Sequence, residues 1–201
     1  MPPRLEWEQL PGKSSGGILW PYPQRIQTKT LVNYGYENEV LLPISLAPLS
    51  DIKLGSRVTF RANVKWLACR EECVPGKTPV ELVLPVSGGA PTGSPHAALF
   101  QKYDSQIPQP LPSGLEVKSS FRQGLFEIAL AGNVSALGQD ILFFPEQQNW
   151  IDPASPQMID KQEKKWILKI KASDQLKSAP TELKGVLVSG RRAFEIDARF
   201  P

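Results

Sequence analysis

At 201 residues the chain is long enough for one large domain or two small ones, with room for a core that needs no crosslinks. Its hydrophobic fraction of 41% is far from that of disordered chains, and its 23 basic and 20 acidic residues nearly balance. Lys161, Lys164 and Lys165 are interrupted by acids and Arg191-Arg192 is an isolated pair, so no nucleic-acid partner is expected; nor does any apolar run approach the roughly 18 to 20 residues of a membrane span.

The opening Met1-Pro2-Pro3-Arg4-Leu5-Glu6-Trp7 lacks the apolar core of a signal peptide. Arg4 to Glu8 reads as a strand, and Gly12, Gly16 and Gly17 lie in a β context rather than in a phosphate-binding loop. Trp20-Pro21-Tyr22-Pro23 is a stiff aromatic connection, because proline cannot donate to a ladder. Glu39 to Leu46 is the next expected strand. The clearest alternation follows in Val58 to Trp66, where even positions are apolar and odd positions polar, as in a half-buried antiparallel strand. Val80 to Pro85 is close enough to pair back on it.

Beyond a glycine- and serine-rich stretch, Ser94 can cap a short helix with Pro95 at its first position. Ala97, Ala98, Leu99, Phe100 and Tyr103 supply its apolar stripe. The proline-rich Ile107 to Pro112 ends it. Further strands are expected at Leu115 to Phe121, Leu125 to Ala131, Ile141 to Phe144 and Lys165 to Ala172. Leu183 to Val188 should pair with Ala193 to Phe200 through Ser189-Gly190-Arg191. Regular short strands separated by turn signals predict an all-β chain of sandwich architecture. Three divisions are expected: a first β domain over 1–86, a connector with the helix over 87–112, and a second β-rich domain over 113–201.

The only two cysteines, Cys69 and Cys73, sit four positions apart where the best strand runs out into a turn, with Pro75-Gly76 as the turn signal. A ring of about five residues contributes only about 2 kcal/mol in the loop-entropy picture, against about 4.7 for a ring of about 100. A stabilising staple is therefore a weak motive for the pair, and reversible thiol–disulfide chemistry is a better one. The two sulfurs can meet if the backbone turns, since bridged Cα atoms lie roughly 4.4 to 6.8 Å apart. Arg70 would favour a thiolate, whereas Glu71 and Glu72 would oppose it.

Bland readings compete with this one. The cysteines can be two small buried hydrophobes or an inert disulfide. A zinc site needs about four ligands, and His96 is the only histidine. One histidine and no nucleophile elbow leave little support for a hydrolase triad. Glu37 and Glu39 read as the solvated face of a strand. Trp7, Trp20, Trp66, Trp150 and Trp166 are scattered and read mostly as packing residues. Tyr34-Gly35-Tyr36-Glu37 can form an aromatic flap over the thiols or an ordinary packed β turn.

Taken in order, Leu5-Glu6-Trp7, Trp20-Pro21-Tyr22-Pro23, Tyr34-Gly35-Tyr36-Glu37 and Trp66-Leu67-Ala68-Cys69 with Cys73-Val74-Pro75 resemble the periplasmic N-terminal region of the DsbD/ScsB-type protein-disulfide reductases. The resemblance covers roughly residues 4 to 100. It implies an immunoglobulin-like redox domain, periplasmic, needing no bound cofactor. Such a domain takes electrons from a membrane-embedded domain through a thioredoxin-like domain. It passes them to oxidised periplasmic thiol proteins, including disulfide isomerases and the cytochrome c maturation pathway. Cys69 and Cys73 align with the redox pair, Cys73 as the sulfur of the mixed disulfide and Cys69 as the resolving thiol. Tyr34, Tyr36, Trp66, Arg70, Glu71, Glu72 and Pro75 are the candidate supporting shell. Family members also carry a signal sequence, a longer first β segment, membrane spans and a thioredoxin-like domain. The sequence is accordingly expected to be a shortened version with an open sheet edge. A binding or assembly sandwich with a purely structural disulfide is the alternative.

Overall fold

The computed structural model describes residues 2–11, 15–29, 31–46, 52–69, 72–90, 93–178 and 180–200. The fold is all-β and immunoglobulin-like, with one short α-helix among the described residues. Two compact units divide it. The first comprises residues 1–19 and 42–97, the second 20–41 and 98–201. The second unit is thus not continuous in sequence, since the segment 20–41 belongs to it although it lies within the expected first domain.

In the first unit, β1 (Arg4–Gln9), β6 (Arg57–Cys69) and β7 (Cys73–Pro85) form an antiparallel sheet in the order β1-β6-β7. The strands β2 (Ser15–Ile18) and β5 (Ile44–Leu46) form a separate pair, closed by the Leu19 amide donating to the Pro43 carbonyl at 2.8 Å. The expected strand from Glu39 is therefore confined to residues 44–46. The even positions of β6 behave as their alternation predicts: Val58, Phe60 and Ala62 are buried, and Trp7 of β1 packs near Phe60. This core is small. On β7 the partners Val80, Leu82 and Leu84 share the apolar face but stay 43%, 51% and 44% exposed.

The second unit holds the large core. One sheet has the order β11-β12-β9-β8, built from β8 (Leu115–Arg122), β9 (Leu125–Gly132), β11 (Met158–Lys161) and β12 (Lys165–Lys171). The other has the order β10-β13-β14, from β10 (Ile141–Pro145), β13 (Glu182–Ser189) and β14 (Arg192–Arg199). Period-two patterning places Phe126, Ile128 and Leu130 opposite Ile170, Leu168 and Trp166 on one buried face. Phe143, Leu183, Leu187, Phe194 and Ile196 supply the facing layer. Each such fully buried side chain contributes about 1.5–3 kcal/mol, so most of the hydrophobic stabilisation resides in this unit.

The hairpin of β3 (Gln24–Thr28) and β4 (Leu31–Gly35) also belongs to the second unit. Arg25 anchors it by donating from Nε to the Pro153 carbonyl at 3.1 Å and from a terminal nitrogen to the Ala154 carbonyl at 3.2 Å. The proline-rich segment runs beside β14, where the Gln109 amide donates to the Ala193 carbonyl at 2.9 Å. The helix α1 (Ala97–Asp104) starts as expected, with the Ser94 hydroxyl accepting from the His96 amide at 3.1 Å. Its stripe is not buried as expected. Only Tyr103 is buried, where its hydroxyl donates to the Glu39 carbonyl at 3.0 Å, while Leu99 and Phe100 remain exposed. Among the described residues no helix is long and apolar enough to cross a membrane.

Candidate functional site

The strands β6 and β7 stay in register for their whole length, from Arg57 opposite Pro85 to Cys69 opposite Cys73. The cysteines are therefore the last cross-strand pair before the turn, and they are joined by a disulfide with a Cα–Cα distance of 4.1 Å. Both are exposed residues. A bond between facing residues of an already paired ladder constrains little that the ladder does not, and its ring is short. What the position does supply is access, which governs how fast a thiolate can reach a disulfide sulfur.

Side chains alternate along a strand and directly paired residues share a face. Cys69 and Cys73 consequently lie on the polar face, in line with Leu67 and Pro75, then Lys65 and Lys77. Trp66 and Gly76 lie on the opposite, apolar face. The half-buried Trp66 indole fills the place where a Cβ on Gly76 would stand. Only glycine fits opposite so large a ring at this point, and the indole braces the hairpin three positions before the disulfide.

Pro75-Gly76 is thus not the turn that its composition suggests. Both residues belong to β7, paired with Leu67 and Trp66 of β6. Even-numbered β7 residues face β6, as the Val86 amide shows by donating to the Ser56 carbonyl at 2.9 Å. Odd-numbered Pro75, Pro79 and Pro85 therefore turn their donorless nitrogens to the outer edge, where no ladder bond is lost. That edge has no neighbouring strand among the described residues.

Of the remaining candidates, Glu72 is exposed in the turn, whereas Arg70 and Glu71 lie outside the described residues. Tyr34 and Tyr36 belong to the second unit, and their contacts there are clear. The Tyr34 ring meets Phe144 edge-on with centroids 4.9 Å apart. The Tyr36 hydroxyl donates to the Pro21 carbonyl at 2.6 Å, and burial pushes its pKa up to about 12. Glu37 and Glu39 lie outside the strands, and Glu39 interacts with Lys102 and Tyr103. Among the described residues no cluster of three histidines, cysteines, aspartates or glutamates is placed to hold a metal ion.

Residues 2–85 match the family described as thiol:disulfide interchange protein DsbD, N-terminal. The crystal structure of the N-terminal periplasmic domain of ScsB from Proteus mirabilis is similar in fold, with a TM-score of 0.70 at 12% identity. The match covers 98% of this chain and 76% of that one. No curated protein matches the chain. The DsbD-like segment ends at the last residue of β7 and contains the whole disulfide hairpin.

Proposed function

We propose that the chain is a periplasmic thiol–disulfide exchange module that works through Cys69 and Cys73. The observation that supports it most is the disulfide itself: exposed, at a hairpin tip, joining residues that the ladder already holds opposite one another. The DsbD family of residues 2–85 points to the same chemistry.

In the reduced state the Cys73 thiolate attacks one sulfur of a partner's disulfide. A mixed disulfide forms and the partner's other sulfur leaves as a thiolate. The Cys69 thiolate then attacks Cys73 Sγ, closing the Cys69–Cys73 bond and releasing the partner's second thiolate. Two electrons pass to the partner. The module is recharged by the reverse exchange with a reduced dithiol, which in this reading belongs to a thioredoxin-like domain fed by a membrane electron-transfer domain. Oxidised periplasmic proteins, among them disulfide isomerases and the thiols of cytochrome c maturation, are the recipients. No bound cofactor takes part, because sulfur carries the electrons.

The Cys69→Ser variant tests the assignment. It removes the resolving thiol, so a covalent complex with an oxidised thioredoxin-like partner should accumulate through Cys73 and dissolve on adding dithiothreitol. If the complex forms only with Cys73→Ser, the two roles are exchanged; if neither variant forms one, the exchange reading fails.

A further inference from the structure

The polar face that carries the disulfide also carries a row of like charges that the sequence does not reveal. In the β1-β6-β7 sheet Arg4 is directly opposite Lys65, and Lys65 is directly opposite Lys77. Three cations from three strands thus stand side by side across one sheet. Like charges facing each other across a ladder are destabilising. Among the described residues only Glu6 answers them, its carboxylate 2.6 Å from the Lys65 ammonium, and this bond holds the Glu6 pKa below its ordinary value. Arg4 and Lys77 are exposed and the Lys65 side chain is 37% exposed. The row lies four residues back from the cysteines on each strand, about 13 Å at 3.3 Å per residue.

The neighbouring positions on the same face are handled differently. Arg61 is matched by Glu81 at 2.6 Å, and Asn63 by the Glu8 carboxylate. Mismatched charge is thus concentrated at the row nearest the disulfide. On the disulfide side of that row only uncharged Leu67 and Pro75 intervene. In sequence the three residues between the cysteines, Arg70, Glu71 and Glu72, carry one positive and two negative charges.

We propose that the Arg4–Lys65–Lys77 row is a docking surface for partner proteins whose cysteines are bordered by acidic residues, steering them onto the Cys69–Cys73 bond. This rests on the exchange reading above and adds the chemistry of the partner to it. Complementary charge of this kind acts mainly on the rate of encounter and is weakened by salt.

Two synthetic dithiol peptides with the same cysteine core, one flanked by glutamates and one by lysines, serve as probes. Each peptide's rate of reducing the oxidised full chain is divided by its rate against a small uncharged disulfide, which removes differences in thiol reactivity. At low ionic strength the acidic peptide should react about ten-fold faster or more, and the gap should close at about 0.5 M salt. Lys77→Glu should cut the acidic peptide's advantage about three-fold or more, with Lys77→Gln intermediate, and Glu6→Gln should enlarge it. Reduction by dithiothreitol should be unchanged in all three variants. Equal peptide rates, or an advantage untouched by Lys77→Glu, would overturn the docking surface while leaving exchange intact. A disulfide that dithiothreitol fails to reduce in the folded chain would overturn the exchange reading and this inference together.

Discussion

The Trp66 indole occupies the space beside Gly76 where a side chain would begin, directly across the β6–β7 ladder from its own backbone. The disulfide lies beyond this contact, on the opposite face of the same hairpin. Trp66 and Gly76 therefore form one steric unit whose loss is felt at the tip.

Gly76→Ala should displace the indole and loosen the end of the hairpin, at a cost of about 1–3 kcal/mol, the range for overpacking a filled site. Hydrogen exchange at the β6 and β7 amides reads this directly. Protection should fall toward Cys69 and Cys73 and be unchanged in β9 and β12. Trp66→Ala in the same background should recover part of the loss, because it reopens the space that the added methyl needs.

The two units should respond differently to large-to-small substitution. Leu168 and Phe143 are fully buried, so Leu168→Ala or Phe143→Ala should cost about 3–5 kcal/mol in urea unfolding of the second unit. Leu82 is 51% exposed, and Leu82→Ala should cost less than about 1 kcal/mol. Reduction of the disulfide by dithiothreitol should be untouched by Leu82→Ala.

Asp152 supplies a dependence on acid. The Ser155 hydroxyl donates to it at 2.8 Å, the Ala154 amide at 2.9 Å and the Lys171 ammonium at 3.2 Å, and together they hold its pKa down to about 2. The folded pKa lies below the unfolded value near 3.9. The stabilisation is therefore complete above about pH 4 and is lost as the pH falls toward 2. Because this turn offers Arg25 the Pro153 and Ala154 carbonyls, the loss should loosen the β3–β4 hairpin as well. Stability measured against pH should fall less steeply between about pH 4 and pH 2 in Asp152→Asn than in the native chain. Equal slopes would contradict the assignment.

Cys73→Ser should leave the far-ultraviolet dichroism unchanged and lower stability by no more than about 2 kcal/mol, since the ring it opens is small. Exchange with any disulfide partner should fall to background. A variant that fails to fold would show that the bond is structural after all.

Much of this was legible in the sequence where hydrophobic alternation was strong. The segments Val58 to Trp66, Leu125 to Ala131 and Lys165 to Ala172 became β6, β9 and β12 because a two-residue period admits one buried face. The β3 strand was hidden because Gln24 to Thr28 is polar apart from Ile26 and is held by Arg25 bonding to a distant loop. Pro75-Gly76 misled, because proline at an outward-facing position costs a ladder nothing and glycine was required by the indole opposite. Of the site, the cysteine pair and its place at a hairpin end could be read directly. The Arg4–Lys65–Lys77 row could not, because only the sheet register brings three separated cations together.

The most direct test of the account is a redox titration of the intact chain, with free thiols trapped and counted across graded dithiol buffers while dichroism follows the fold. The account predicts a single reversible two-electron transition of Cys69 and Cys73, with the β signal unchanged on both sides of it. A bond that yields only when the chain unfolds would contradict it.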